Sequence, residues 1–362
     1  MTRRRQPIPK PGAIPGRLLI VKMSAVGDVV MTLPALKALR QAFPKARIDW
    51  LVEPAAAGLL KDHPDIDRLI ISPRRYFGKL LKSGRHRRAR RVFGVFRARL
   101  RAVKYEVVLD LQGLIKSAIN VFLSRGRRKL GFAKTRERTG WALNEKMPAY
   151  DPDRHATLRY LDAAVYLGAQ WPDPLPEKYY DPPLSAQAEA ETLLAPFCGH
   201  GGFVVLNPGA KWLTKRWPLE HWRGLADLCA QAGLKLVLTG GREDREMAES
   251  INEAVDGQAL NLCGRTSLPV LAAVLARASA VVTADTGPMH LAAAVGGGGL
   301  ALFGPTRPGR TGPFGGHFEI LRPPLDCLGC LKKRCDRPCL ELLEPESVWE
   351  RLRVFLSLEQ AS

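Results

Sequence analysis

No stretch of about 18 apolar residues free of charge occurs in the 362-residue chain, which leaves no candidate for a membrane-spanning helix. No apolar run separates the basic opening MTRRRQPIPKPGAIPGR from the first strand-like segment, so a secretory signal is not expected. Residues 1–16 read instead as a loose basic tail. No G-x-G-x-x-G follows that first strand, which argues against a nicotinamide dehydrogenase. Acidic residues are scarce: 35 Asp+Glu stand against 55 Lys+Arg, a formal charge of +20. From Arg74 to Lys104 they are missing altogether among thirteen Lys/Arg. Such a block should seek a polyanion (nucleic acid, phospholipid head groups or an anionic glycolipid), and charge alone does not separate the three. Cysteine is sparse outside one cluster. Without an export signal the thiols are expected to stay reduced, so a disulfide framework is not expected.

What is present is the pattern of an α/β protein. A hydrophobic share of 46% with 25% charged residues is enough for two cored domains at this length. RLLIVK (17–22), RIDWLVE (47–53) and YEVVLDLQG (105–113) read as strands, the first as a fully buried one. Leu33, Leu36, Leu39 and Phe43 recur at helical spacing, and FGVFRARLRAV within the basic block does the same. Residues 168–185 carry five Pro and little periodicity, which marks a linker. Beyond it the alternation restarts with GFVVLNPGA, a helix over 219–232, KLVLTGG, a charged helix from Glu243, ASAVVTAD, a helix opening at Thr286-Gly287, and LALFGPT. The expected organisation is an N-terminal Rossmann-like domain over 17–175 and a C-terminal one over 176–362, with ligands outside the carboxyl ends of the strands.

Four constellations follow predicted strands. In Lys22–Asp28, a small-residue turn leads into a helix, and Asp28 is either a base at the lip of a site or a helix cap; spacing alone favours the cap. In LNPGAKWLTKRWP (206–218), Lys211, Lys215 and Arg216 put positive charge beside a strand-ending turn, a weak phosphate signal by itself. In Asp285-Thr286-Gly287-Pro288-Met289-His290, a Pro suited to a helix's first turn follows a Gly that admits close approach, and the helix N-terminus would hold a diphosphate. His290 would face the same site or be a structural histidine. The fourth is Cys327-x2-Cys330-x4-Cys335-x3-Cys339 within the segment 327–339, either a tetrahedral structural metal site for zinc or iron, or four reduced thiols. Cys198, Cys229 and Cys263 sit in apolar surroundings and read as packing residues.

Taken together, KMSAVGDVVMTLPALKALRQAFPKARIDWLVE, LDLQGLIKSA, NPGA with KRWP, TADTGPMHLAAA and LFGPTRPGRTGP resemble, in the right order, the landmarks of the bacterial ADP-heptose:lipopolysaccharide heptosyltransferases, glycosyltransferase family 9. The first half is most similar to heptosyltransferase I, whereas the Cys cluster is more familiar from the heptosyltransferase II-like branch. The resemblance implies a glycosyltransferase-B architecture: two Rossmann-like domains facing a central cleft, acceptor on the first and donor on the second. It implies inverting, metal-independent transfer of L-glycero-D-manno-heptose from ADP-heptose to the Kdo region of lipopolysaccharide, with no cofactor required for catalysis. Asp28 matches the family's base and Lys215 its donor-phosphate lysine. Asp285, Thr286, Gly287 and His290 match its donor signature, and Glu243 is aligned with an acidic partner of the donor nucleoside.

With that acceptor in view, Arg74, Arg75, Lys79, Lys82, Arg85, Arg87 and Arg88 are expected to meet Kdo carboxylates and lipid A phosphates. The protein is then expected in the cytoplasm, peripheral on the inner face of the inner membrane. A nucleic-acid-binding protein is the rival from another class. The basic block carries few stacking aromatics, only Tyr76, Phe77, Phe93 and Phe96, and no nucleic acid is expected. A related family transferase with another acceptor is the nearer rival.

Overall fold

The computed structural model describes residues 15–199, 201–336 and 339–361. Most of the basic tail expected over 1–16 therefore lies outside the described residues. The chain divides into two compact units, the first ending at Pro174 and the second beginning at Leu175, inside the Pro-rich stretch.

The first unit is built on six strands: β1 (Arg17–Val21), β2 (Arg47–Val52), β3 (Arg68–Ile71), β4 (Lys104–Asp110), β5 (Arg125–Phe132) and β6 (Glu145–Met147). They lie in the order β3-β2-β1-β4-β5-β6, every pairing parallel. Central β1 is apolar because both its faces are covered, and Leu18 through Val21 are fully buried. Its register sets Ile20 beside Trp50 and Leu109. The helices used below are α1 (Val26–Val30), α2 (Leu33–Ala42), α3 (Arg74–Lys82), α4 (His86–Arg101), α5 (Ile115–Leu123) and α6 (Ala156–Tyr166). Leu33, Leu36 and Leu39 of α2 turn inward, as helical spacing requires.

The second unit repeats the plan with β7 (Val204–Asn207), β8 (Leu236–Leu238), β9 (Leu260–Asn261), β10 (Ala280–Ala284), β11 (Gly298–Leu302) and β12 (His317–Leu321). The order is β12-β11-β10-β7-β8-β9, again wholly parallel. Its helices include α7 (Leu219–Gln231), α8 (Arg245–Glu253) and α9 (Gly287–Ala294). Trp217 and Trp222 pack edge to face, 4.9 Å between ring centroids, in its core.

Both sheets have the doubly wound order, in which the chain leaves the middle first to one side and then to the other. The two strands at that reversal open a crevice at their carboxyl ends, where such folds take ligands. In the first unit these strands are β1 and β4; in the second, β7 and β10.

Candidate functional site

Each crevice holds one of the expected clusters. In the first unit, Lys22 follows β1 directly and is almost completely buried. Its ammonium donates to Tyr160 Oη at 2.5 Å, to the Leu111 carbonyl at 3.2 Å and to Asp28 Oδ1 at 3.3 Å. The Tyr160 hydroxyl, carried on α6, donates to the same Oδ1 at 3.1 Å. Asp28 Oδ2 accepts the Ala25 N–H at 3.0 Å, at the start of α1. Asp28 thus lies in the first turn of α1, where Ala25 and not Asp28 is the N-cap; its Oδ2 reaches back to the Ala25 amide, its Oδ1 enters a polar cluster, and 38% of its side chain is open to solvent.

Burial alone would raise the Asp28 carboxyl, but the Lys22 charge, the Ala25 amide and the Tyr160 hydroxyl outweigh it and hold the group below its ordinary value. Burial likewise opposes the Lys22 charge, yet Asp28 and Tyr160 raise the ammonium above its usual range. Asp28 therefore stays ionised and Lys22 protonated.

The loop carrying Lys22 is fastened from its neighbours. Gln112 Oε1, just past β4, accepts the Met23 and Ser24 amides, each at 3.0 Å. The Trp50 indole donates to the Lys22 carbonyl at 2.9 Å. Asp110 at the end of β4 accepts the Gln112 and Gly113 amides and the Ser117 hydroxyl. Gly113 adopts φ +64°, and a Cβ there would come within 2.9 Å of Thr135, so both backbone and space favour glycine. Sequence reasoning missed Tyr160, Gln112 and Asp110. Gln112 and Asp110 lay in a recognised strand-end segment, but nothing local ties Tyr160 to Asp28, 132 residues away.

The basic residues divide. Arg74 donates to buried Glu53 at 3.0 Å, Arg75 Nε lies 3.5 Å from the same carboxylate, and Lys116 reaches it at 3.3 Å. Burial would raise Glu53, but Arg74 and Lys116 hold it down. Two of the seven expected acceptor cations are thus engaged internally. Lys79, Lys82, Arg85, Arg87 and Arg88 are exposed. Arg87, Arg88, Arg91 and Arg99 line a cavity of about 690 Å³ floored by Ile71, Val92, Val95 and Phe96.

In the second unit, Asn207 closes β7 and donates to the Thr239 carbonyl and hydroxyl at 2.9 and 3.0 Å, tying the ends of β7 and β8. Lys215 donates to Asp285 Oδ2 at 2.6 Å and to the Asp285 carbonyl at 3.1 Å, just past β10. Thr286 is the N-cap of α9, Gly287 opens it with Pro288 next, and buried His290 stands 4.0 Å from Asp285 Oδ1. Lys215, Asp285, Thr286, Gly287 and His290 are brought together as one cluster at a helix N-terminus. Glu243 is exposed, its carboxylate folded over Gly241. Its neighbour Asp244 is the acid turned inward: it accepts the Gly241 amide at 2.8 Å and lies so close to Gly209 that a Cβ there would overlap it.

The cysteine segment lies beside this cluster. The Lys332 carbonyl accepts from Thr214 Oγ1 at 2.7 Å, and Lys215 and Lys333 sit 4.8 and 5.4 Å from the Trp212 ring. Cys327, Cys330 and Cys335 are exposed and Cys339 half-buried. Burial raises the Cys339 thiol, with Cys330 and Cys327 adding to the effect. Among the described residues no three His, Cys, Asp or Glu are gathered to hold a metal, so a metal at this segment would have to draw the four thiols closer together. Cys198, Cys229 and Cys263 are buried. Among the described residues no helix is long and apolar enough to cross a membrane.

Residues 94–341 match the model for glycosyltransferase family 9 (heptosyltransferase). The chain is 37% identical over 327 residues to lipopolysaccharide heptosyltransferase 1 of Pseudomonas aeruginosa, covering 88% of this chain and 87% of the relative. It is similar to the solved structure of the Escherichia coli heptosyltransferase WaaC with ADP, at TM-score 0.77 and 31% identity over 94% of this chain and 99% of that one. WaaC with ADP-2-deoxy-2-fluoro heptose aligns at TM-score 0.74 and 30% identity, over 96% and 100%.

Proposed function

The chain belongs to glycosyltransferase family 9, the heptosyltransferases, and from that premise we propose that it transfers L-glycero-D-manno-heptose from ADP-heptose to the Kdo-bearing inner core of lipopolysaccharide. The observation that carries the reading is Asp28: a carboxylate kept ionised, partly open to solvent, at the carboxyl end of the strand where the first sheet reverses. An acceptor hydroxyl gives its proton to Asp28 as its oxygen attacks the anomeric carbon from the side opposite the diphosphate. The carbon–phosphate-oxygen bond breaks, ADP leaves with the electron pair, and a single displacement inverts the centre.

ADP leaves without protonation when its charge is held. Lys215 and the amides at Thr286-Gly287 are suited to that, because cations and a helix N-terminus stabilise the charge that grows on the leaving oxygen. His290 and Asp285 orient Lys215 and the turn, and Glu243 meets the donor nucleoside. The reaction is metal-independent in this reading. The Asp-x-Asp pairs Asp65/Asp67 and Asp151/Asp153 both lie in the first unit, and Asp67 is already committed to Arg40 and the Ile48 amide.

The acceptor's carboxylates and phosphates are drawn by the exposed cations of α3, α4 and the turn between them, which supports a peripheral place on the cytoplasmic face of the inner membrane. A metal at the cysteine segment, zinc or iron, would be structural and take no part in the transfer. Incubating the protein with ADP-heptose and Kdo-bearing lipid A, then following ADP release and the mass of the glycolipid, tests the whole reading. A glycolipid unchanged in mass under conditions where ADP-heptose binds would overturn it.

A further inference from the structure

Helix α5 presents to water a face that should be polar and is not. Its inner side, Ser117, Ala118, Asn120 and Val121, is buried against the first sheet. Its outer positions, Ile115, Ile119 and Phe122, fall one turn apart on one stripe and are 51, 46 and 61% exposed. A solvent-facing helix of a globular domain ordinarily carries charged or polar residues there, as neighbouring α4 does with its arginines. Trp141, from the turn Thr139–Ala142 packed on α5, adds a ring 57% exposed and 6.0 Å from Phe122. These four side chains form one contiguous apolar patch.

Its surroundings are cationic. From Leu111 to Arg136 the sequence holds seven Lys/Arg and no Asp or Glu; Glu137 just beyond accepts the Ile115 amide, and Lys116 and Arg128 are paired with Glu53 and Glu145, while Arg125, Arg127, Lys134 and Arg136 are exposed. The Lys129 ammonium sits 5.7 Å from the Phe122 ring and donates to the Phe122 carbonyl at 3.0 Å; Arg101, the last residue of α4, donates to the Leu123 carbonyl at 2.9 Å. Because α4 packs on α5, the apolar patch and the arginine-rich helix make one continuous surface of the first unit.

We infer that this surface docks on an anionic phospholipid bilayer, with Ile115, Ile119, Phe122 and Trp141 sinking to the level of the head groups and the flanking cations pairing with lipid phosphates. An apolar stripe bordered by Lys and Arg, with a Trp at its rim, is the composition of interfacial membrane contacts. A second copy of the chain is the poorer occupant, since a two-fold pairing of the same patch would bring like charges together. Nucleic acid is poorer too, because two of the four side chains are aliphatic and offer bases nothing to stack on. The inference deepens the peripheral location proposed above by naming its contact.

The test is co-sedimentation of the full chain with vesicles of phosphatidylcholine, with or without phosphatidylglycerol, none carrying acceptor glycolipid. The parent protein is expected to bind the anionic vesicles, and Phe122→Ser with Trp141→Ser to bind them about tenfold more weakly. The parent's tryptophan emission should shift to shorter wavelength on vesicle addition, and Trp141→Phe should lose that shift. ADP titration and melting, unchanged in the variants, keep the outcome separate from misfolding and from failure of the transferase reading. Equal vesicle binding by parent and double variant would overturn the inference. So would a dimer in light scattering that the double variant dissolves, or RNA binding that is lost in place of vesicle binding.

Discussion

The buried Lys22 ammonium stands 3.3 Å from Asp28 Oδ1, with the Tyr160 hydroxyl on the same oxygen, so the proposed base and the charge that keeps it ionised come from one strand-to-helix turn. This arrangement has a cost. A carboxylate held below its ordinary value is a weaker base, so in the proposed step it takes the proton only as bonding to the anomeric carbon makes the attacking hydroxyl acidic.

Replacing Asp28 with Asn removes the proton acceptor while keeping the shape. Turnover with ADP-heptose and acceptor is expected to fall by roughly 10²- to 10⁴-fold, with ADP affinity unchanged. Steady-state kinetics beside ADP calorimetry reads both, and near-parental turnover contradicts the assignment.

Lys22→Met takes away the charge that opposes burial, so the Asp28 carboxyl should rise. The acid limb of kcat/KM against pH then moves to higher pH than in the parent. The sign for stability follows from the same group. Its folded value is depressed, so Asp28 stabilises the parent above the unfolded carboxylate value, and this is lost as pH falls through the lower folded value. The gap in melting temperature between parent and Asp28→Asn should therefore narrow toward low pH.

Lys215→Ala leaves Asp285 buried without its partner and strips a cation from the helix N-terminus. A charged hydrogen bond contributes about 1.5–3 kcal/mol, so ADP should bind roughly 10- to 100-fold more weakly. Adenosine, which lacks phosphates, should bind as before. Equal loss for both ligands would place Lys215 away from the phosphates.

Glu substitutions at Arg85, Arg87, Arg88 and Arg91 should raise the KM for acceptor and flatten its salt dependence, with ADP binding intact. Kinetics across a salt series checks this. An unchanged acceptor KM would leave α4 without a role in the transfer.

For the cysteine segment, elemental analysis of protein purified without chelators should find one zinc or iron per chain, and Cys327→Ser with Cys330→Ser should release it. A metal-free parent with full activity would return the four thiols to ordinary surface residues.

Much of this was legible in the chain. β1, β2, β4, β7, β8, β10 and β11 announce themselves as short apolar runs, because strands covered on both faces must be apolar. β5 does not: Arg125, Arg127, Arg128 and Lys129 give it the look of a loop, and only its last residues are buried. β9 is two residues long, too short for any pattern. Asp28, Lys215 and Asp285 could be named because each follows a recognisable strand. Arg74 and Arg75 looked free, since nothing near them in sequence reveals that Glu53, across the strand end, takes both.

The sequence by itself determined the alternation of strands and helices, the family, and which residue types stand at strand ends, because these depend on local order and spacing. Only the tertiary structure decided which ends converge. The parallel order about β1 and β4 brings Gln112 and Tyr160 to Lys22 and Asp28 from far along the chain, and the packing of α5 leaves its apolar stripe in water. Charge state and exposure depend on what surrounds a group, and neighbours distant in sequence are known only once the chain has folded.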